Sequence, residues 1–527
     1  MNRSFAARIG ASLVAFAVAG CVAFGAASPA SATIIGKTLK PMQVQHVGAV
    51  DLTTPRDFTI FMKKGSTAAD AAAVASYFKG YGLLPTISSD HRFVWLRGSL
   101  GQAAAAAHST YESVQITQLS NASVTAPVVK YGPFTRLARP AALPAGISRV
   151  IAATTLNPGP KTPSLIQQLP NPVVGFGPAD LAGVYDLNPA YAAGLTGAGT
   201  TVALPECGIA NQKSIDYFTS YYGLAPYTMH YYSVDGTPVT PEQIGLEPLL
   251  DAERVIGEAP GTHVEMYFIN GDICDIGEFA TMLSKIADRH DSTVVSISYG
   301  LSEATWAAIG AGSDLTAWEA AIQAIYDDGT PIVAASGDSG AFSDFFFDAI
   351  DTLYPASDPN VVAAGGTTLV ESAIDTRLIE DGWYYGGGGV SGIFPIPAWQ
   401  VGVPGEASGL FRNVPDIASD ADPNTGVAVL ADAPSIGIPE LIIEVGGTSV
   451  STPTFAGIYA LAAQNRALHG GAPITNLSAT LYGLRSTPGV FYDVTTGDNG
   501  YYPAQPGYDN VTGLGVPDGW HLIQALQ

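Results

Sequence analysis

Four short apolar runs restrict what this 527-residue chain can fold into more than any other feature. TTVALPE (200–206), HVEMYFIN (263–270), STVVSISYG (292–300) and TPIVAASG (330–337) are each the length of one strand and rich in β-branched and aromatic residues. Near-continuous apolar runs of this length suit strands covered on both faces, as in a parallel sheet. Two stretches of helical pattern, DIGEFATMLSKIADRH (275–290) and DLTAWEAAIQAIYDDG (314–329), separate the last three. Strands alternating with helices predict right-handed crossovers and a doubly wound, mainly parallel α/β sheet from about residue 172. Such a sheet gathers its site beyond the carboxyl ends of its strands.

The first third of the chain reads differently. DFTIFMKK predicts a strand, STAADAAAVASYFKGYG a helix and LLPTISSDHRFVWLRGS a hairpin. LGQAAAAAHSTY predicts a second helix and SVQITQLSNASVTAPV a last strand, all within residues 57–126. That β-α-β-β-α-β order is the split βαβ, or ferredoxin-like, α+β arrangement. Residues 127–171, with PAALPAG, LNPGPKTP and LPNPVVG, predict an extended connector open to proteolysis. Before all this, Arg3 and Arg8 precede GASLVAFAVAGCVAFGAA and the small-residue stretch Ala30-Ser31-Ala32, the pattern of a secretory leader cut before Thr33. Cys21 in VAGC offers an alternative, attachment of lipid. No later segment is apolar for long enough to span a bilayer. The expected organisation is a leader over 1–32, an accessory segment over 33–171 and a main domain over 172–527, secreted and monomeric.

Charge divides the chain in nearly the same place. Residues 1–172 hold 15 Lys and Arg against 5 Asp and Glu, whereas residues 173–527 hold 8 against 41. A basic segment beside an acidic domain suggests an intramolecular complex held partly by opposite fields, which protonation of carboxylates would weaken. So acidic a main domain disfavours nucleic acid as a partner. Only Cys207 and Cys274 follow the leader. They allow one disulfide in an exported protein, or two free thiols, and argue against a disulfide scaffold or a zinc site.

Three elements could carry chemistry. GGTSVSTP (446–453) is a small-residue elbow that opens a helical stretch, and it exposes a hydroxyl at a helix start, with Ser449, Ser451 and Thr448 as candidates. Glu247 and Asp251, in IGLEPLLDAERVIGEAPG, stand one helical turn apart and project from one face. Acids that close share protons, and one then titrates upward into the range of a base in mild acid. Asp338 in ASGDSG follows the predicted strand 330–337 and, if protonated, could donate a hydrogen bond to an oxyanion. Separately, each has a bland reading: a helix cap, a solvated acidic face and a turn-capping aspartate.

Together the three resemble the sedolisins, the serine-carboxyl peptidases. The family's E-x-x-x-D appears as Glu247 to Asp251, its S-G-D-S-G as Ser336 to Gly340, and its G-T-S-x-x-x-P as Gly447 to Pro453. VVSISYGLSE, YPASDPNVVAAGGTTL, GGGGVSGIFPIPAWQ and VPDIASDADPNTG extend the likeness from about residue 175 to the C terminus. The resemblance implies a subtilisin-like fold preceded by a propeptide, and an acid endopeptidase made as an autoprocessing zymogen. By that resemblance Ser449 is the nucleophile, Glu247 its base and acid, Asp251 the residue that tunes Glu247, and Asp338 the oxyanion acid. Protein or peptide substrates are expected, with the propeptide as inhibitor. A true subtilisin mechanism is disfavoured, because Pro260-Gly261-Thr262-His263 puts proline where that mechanism needs a catalytic imidazole.

The same resemblance implies a structural Ca²⁺ ion held by Asp493, Val494, Gln505, Gly507 and Asp509 in FYDVTTGDNG and AQPGYDNVTGLGVPD. Gln505 departs from the family, where glycine is usual. Two alternatives stay open: an exported fold of this kind that binds without cleaving, or an exopeptidase of tripeptidyl type.

Overall fold

The strand Thr201–Cys207 lies near the middle of a sheet of eight strands. In the computed structural model the order runs Thr228–Ser233, His263–Ile269, Thr201–Cys207, Val294–Ile297, Ile332–Ala335, Val361–Glu371 and Arg377–Gly382, with Ile417–Asp420 also pairing Val361–Glu371. Every pairing in it is parallel except that of Val361–Glu371 with Arg377–Gly382. The structure describes residues 42–118, 130–159, 167–168, 175–236, 238–239, 245–269, 274–308, 312–342, 350–371, 376–433 and 438–527. The predicted leader lies outside them. No described helix is long and apolar enough to cross a membrane.

Side chains alternate across the pleat and feed two cores. Val202, Leu204 and Val294 point to one face, with the helices Leu246–Glu258 and Thr448–Leu468. Ala203, Val295 and Ile297 point to the other, with the helices Ile276–Arg289 and Gly312–Asp327. Both faces are therefore covered, as the four apolar runs require. Between Thr201–Cys207 and Val294–Ile297 the chain changes the direction in which it adds strands, which makes this pair the switch point.

The N-terminal region has the ferredoxin-like strand order, but one strand comes from elsewhere in the sequence. Leu84–Ile87, Phe93–Ser99, Pro55–Met62 and Ile151–Thr154 form its antiparallel sheet. The fourth position thus belongs to Ile151–Thr154, inside the predicted connector. The expected last strand is present as Tyr111–Gln118 but pairs with Met42–Gly48 and Lys130–Leu137 in a separate sheet. IAAT is short, alanine-rich and flanked by Pro-rich sequence, so it carries a weak strand signal, whereas SVQITQ carries a strong one. Packing decides: Ile151 joins Phe58, Ile60, Val94 and Leu96 over the helices Ala68–Lys79 and Leu100–Ala106. Capping boxes at Thr67 with Asp70 and at Ser99 with Gln102 start those helices.

The opposite face of this sheet covers the main domain. Phe61, Phe93 and Ala153 share a core with the helices Ile276–Arg289 and Gly312–Asp327. Trp95 donates from its indole nitrogen to the Ser284 hydroxyl at 3.0 Å, with Lys285 Nζ 3.2 Å over its ring. Arg56 pairs with Asp275 and Glu278, and Arg92 Nη2 with Asp328 at 2.9 Å.

Candidate active site

The helix Leu246–Glu258 starts at the carboxyl edge of the sheet, and Pro248 sits in its first turn, where a missing N–H breaks no helical bond. Glu247 is 4% exposed and Asp251 0%, so the pair is not a solvated helix face. Asp251 Oδ1 accepts from the Ser298 hydroxyl at 3.0 Å, just beyond the strand Val294–Ile297. Asp251 also shares a hydrogen bond with Glu206, which is itself fully buried. Glu206 Oε2 accepts from the Tyr299 hydroxyl at 3.1 Å, and that hydroxyl accepts from the Cys207 N–H at 3.3 Å.

Glu206 and Tyr299 were not singled out from sequence. The available signal was a lone charge at the end of the otherwise apolar TTVALPE, since an unpaired buried carboxylate is costly and needs partners. Cys207 follows Glu206 and is disulfide-bonded to Cys274, with Cα atoms 5.4 Å apart. This bond resolves the two states that the sequence left open. It ties the end of the strand Thr201–Cys207 to the segment just before the helix Ile276–Arg289.

Burial pushes Glu206 well above the ordinary carboxylate range, and the charge of Glu247 adds to the shift. Burial and then Glu206 push Asp251 up in the same way. Glu206 and Asp251, both buried and adjacent, do not ionise together, so a proton is held between them above the pH at which free carboxyls release theirs.

Asp338 lies beyond the next strand, Ile332–Ala335. Adjacent strands are about 4.8 Å apart, so Glu206, Ser298 and Asp338 span roughly 10 Å of the sheet edge. Asp338 Oδ1 accepts from both the N–H and the hydroxyl of Thr448, each at 2.8 Å. Burial lifts it to about 7, against the opposing pull of these two donors. A carboxyl with that value is neutral in mild acid and can donate.

The turn before the helix Thr448–Leu468 is set by Gly447, whose φ of 107° few side chains tolerate. In the first turn the three candidate hydroxyls separate by their partners. The Thr448 hydroxyl is engaged with Asp338 and accepts from the Gly337 N–H at 3.1 Å. Ser451 Oγ accepts from Ser419 at 2.9 Å. Ser449 Oγ, though buried, has no hydrogen-bond partner among the described residues. Both helices begin at the carboxyl edge and run down the same face, packed so closely that a Cβ on Gly457 would stand 2.6 Å from that of Glu258. Glu247 and Ser449 are thus brought to one end of one helix pair. Just upstream of Ser449, Val445 and Gly446 pair antiparallel with Gln168 and Gln167 of the connector.

Four of the five predicted calcium residues are linked by hydrogen bonds, and the fifth, Val494, follows Asp493 in the chain. The Gly507 N–H donates to both Asp493 oxygens, at 3.2 and 3.0 Å, and the Gln505 N–H donates to Asp509 Oδ2 at 2.9 Å. One short loop therefore connects the two carboxylates. With the carbonyls of Val494, Gln505 and Gly507 the donor set is all oxygen, which fits a hard divalent cation. Gln505 fastens the loop through its amide, which donates to the Gly405 carbonyl at 3.1 Å.

No protein-family model matches the chain. Kumamolisin of Bacillus sp. (strain MN-32) is 36% identical over 374 residues, covering 67% of this chain and 63% of its own length. Tripeptidyl-peptidase 1 of Homo sapiens is 34% identical over 225 residues, covering 38% of this chain and 37% of its own. The chain spans less than two thirds of the length of these curated relatives. Among solved structures, Pseudomonas sedolisin, a serine-carboxyl proteinase complexed with two molecules of pseudo-iodotyrostatin, matches with a TM-score of 0.56 at 26% identity, over 67% of this chain and 98% of that one. Likeness in sequence to kumamolisin and in shape to sedolisin converge, and the chain belongs to the sedolisin family, the serine-carboxyl peptidases.

Proposed function

We propose that this chain is the precursor of a secreted endopeptidase that works in acid. The observation that carries the reading is the buried Asp338, held by Thr448 beside Ser449 and neutral up to about pH 7. Ser449 Oγ attacks the scissile carbonyl while Glu247 takes its proton. The negative charge that develops on the carbonyl oxygen is met by the Asp338 proton. Glu247 then returns its proton to the leaving amine, and water completes the reverse sequence on the acyl-enzyme. Asp251, Glu206, Ser298 and Tyr299 form the hydrogen-bonded support that holds Glu247 in place and limits the negative charge around it. Ca²⁺, held by Asp493, Val494, Gln505, Gly507 and Asp509, would supply rigidity near the C terminus and no step of the reaction. If it does, chelation should lower the melting temperature by several degrees and added Ca²⁺ should restore it; indifference to both removes the ion from the account.

Residues 33–171 act in this reading as a propeptide that covers the domain and is cut within the connector after export and removal of residues 1–32. The pairing of Gln167 and Gln168 just upstream of Ser449 supports that presentation. Acid acts on the docked segment mainly through the long-range field. Lys64 lowers Asp327 across the interface, so that contact weakens as pH falls. Asp275 is lifted to about 7 by burial despite Arg56, and a group of that sign holds on in acid. Release is therefore expected to be sensitive to salt.

The test follows the chain in the medium of a secreting host. A mature N terminus at Thr33, followed by mass loss at about pH 4 that is absent in Ser449→Ala, is the expected result. Processing of the Ser449→Ala protein with outside protease excluded removes Ser449 as nucleophile. The likeness to tripeptidyl-peptidase 1 favours a second reading, release of short N-terminal pieces. Products of peptide digestion separate the two modes.

A further inference from the structure

The turn Trp383-Tyr384-Tyr385-Gly386 follows the strand Arg377–Gly382, and the Gly386 N–H closes it on the Trp383 carbonyl at 2.9 Å. Trp383 is buried and anchors the turn. The residues around it lie against the loop that carries Asp338. The Gly387 N–H donates to the Gly337 carbonyl at 2.7 Å, and the Gly340 N–H to the Tyr385 carbonyl at 2.8 Å. The Ser336 hydroxyl donates to the Gly387 carbonyl at 2.7 Å. A third loop closes the set, since the Ala341 N–H donates to the Asn499 carbonyl at 2.9 Å and the buried Asn499 amide reaches the Gly388 and Asn510 carbonyls. A Cβ on Gly387 would stand 2.1 Å from the Ser336 carbonyl oxygen, so the loops touch through bare backbone.

This rigid ledge presents aromatic rings to water. Tyr384 is 55% exposed, Tyr385 47% and Tyr501 59%. Tyr384 and Tyr385 meet edge to face at 5.1 Å, as Tyr501 and Tyr502 do at 4.8 Å. A Cβ on Gly500 would lie 3.5 Å from the Tyr384 hydroxyl, so the two pairs meet across that glycine. Exposed rings add little to the stability of a loop already fixed by its backbone bonds. Rings held rigidly, with phenol hydroxyls free to bond peptide groups, are instead what recognition surfaces use.

We propose that Tyr384, Tyr385 and Tyr501 form a substrate subsite that takes an aromatic or bulky aliphatic side chain of an extended polypeptide. This inference rests on the peptidase reading above. A polypeptide is the occupant because the ledge is continuous with the reaction centre: residues 336–340 carry Asp338 and also hold Tyr385. A chain whose scissile carbonyl faces Asp338 reaches the rings within roughly two or three residues.

The test uses the full chain after incubation in acid, a peptide library and mass spectrometry of the products. One subsite should be enriched in Phe, Tyr, Leu or Ile. In Tyr384→Ala and in Tyr501→Ala that enrichment should fall roughly three- to ten-fold, through KM rather than kcat, for peptides with Phe at that position. Tyr384→Phe should retain most of it. Tyr221→Ala, equally exposed but on the helix Gln212–Tyr222, should leave it intact. Unchanged enrichment in the alanine variants overturns the subsite while the peptidase reading stands. An equal fall in kcat for every peptide also overturns it, because that pattern marks damage to the Asp338 loop. A wild-type chain that cuts nothing refutes the peptidase reading and the subsite with it.

Discussion

In the proposed mechanism Asp338 is the side chain with the most to satisfy. Its carboxyl would have to stay neutral to donate, and burial lifts it to about 7. Replacing it separates charge from donation. Asp338→Ala should lower kcat by about 10²–10³, the usual loss for one oxyanion donor. Asp338→Asn keeps a neutral donor at every pH, so it should lose less and its pH–rate profile should lack a falling limb near 7. A limb that persists unchanged assigns it to another group. At this scale the sequence singles out Ser449, Glu247, Asp251 and Asp338, because each stands in a short pattern of fixed spacing. Glu206 was invisible by that route. It acts at long range in sequence, and only the pairing of its strand with neighbours brings it to Asp251.

Two helices do the positioning. Leu246–Glu258 carries Glu247 and Asp251, Thr448–Leu468 carries Ser449, and Gly457 lets them approach. A Cβ there meets the Glu258 side chain at 2.6 Å and Cγ at 3.3 Å, within a buried contact that cannot open without moving one helix. Gly457→Ala should therefore cost about 1–3 kcal/mol and depress kcat more than KM, by displacing Ser449 from Glu247. Unfolding midpoints and steady-state rates together check this, and a variant of wild-type stability shows that the helices have slack. Element types were legible where periodicity was strong: the four apolar runs are strands and the two amphipathic stretches are helices. Ile151–Thr154 was not legible, since four residues of IAAT signal little alone and their place depends on Phe61 and Ile60 of a distant strand.

On the scale of the molecule, buried acids set the response to pH. Burial lifts Asp338 and Glu258 to about 7 and Asp358 to about 6. Their folded values lie above the unfolded ones, so the folded state binds more protons between about pH 4 and 7. The stability that they contribute is full below the unfolded range and is lost as pH rises through 6 to 7. The melting temperature should accordingly fall between pH 4 and pH 8, on the order of 5–15 °C. A flat or rising profile would contradict the buried, neutral state of these acids. The sequence by itself determined the layered α/β class and the two-part charge pattern and singled out the acid-and-serine set, because each is written in local composition or spacing. Only the tertiary structure decided which strand completes the N-terminal sheet, that Cys207 bonds Cys274, that Glu206 joins the acids and that a tyrosine ledge adjoins Asp338. Those outcomes depend on which distant segments share buried area and hydrogen-bond partners, and local pattern does not encode that choice.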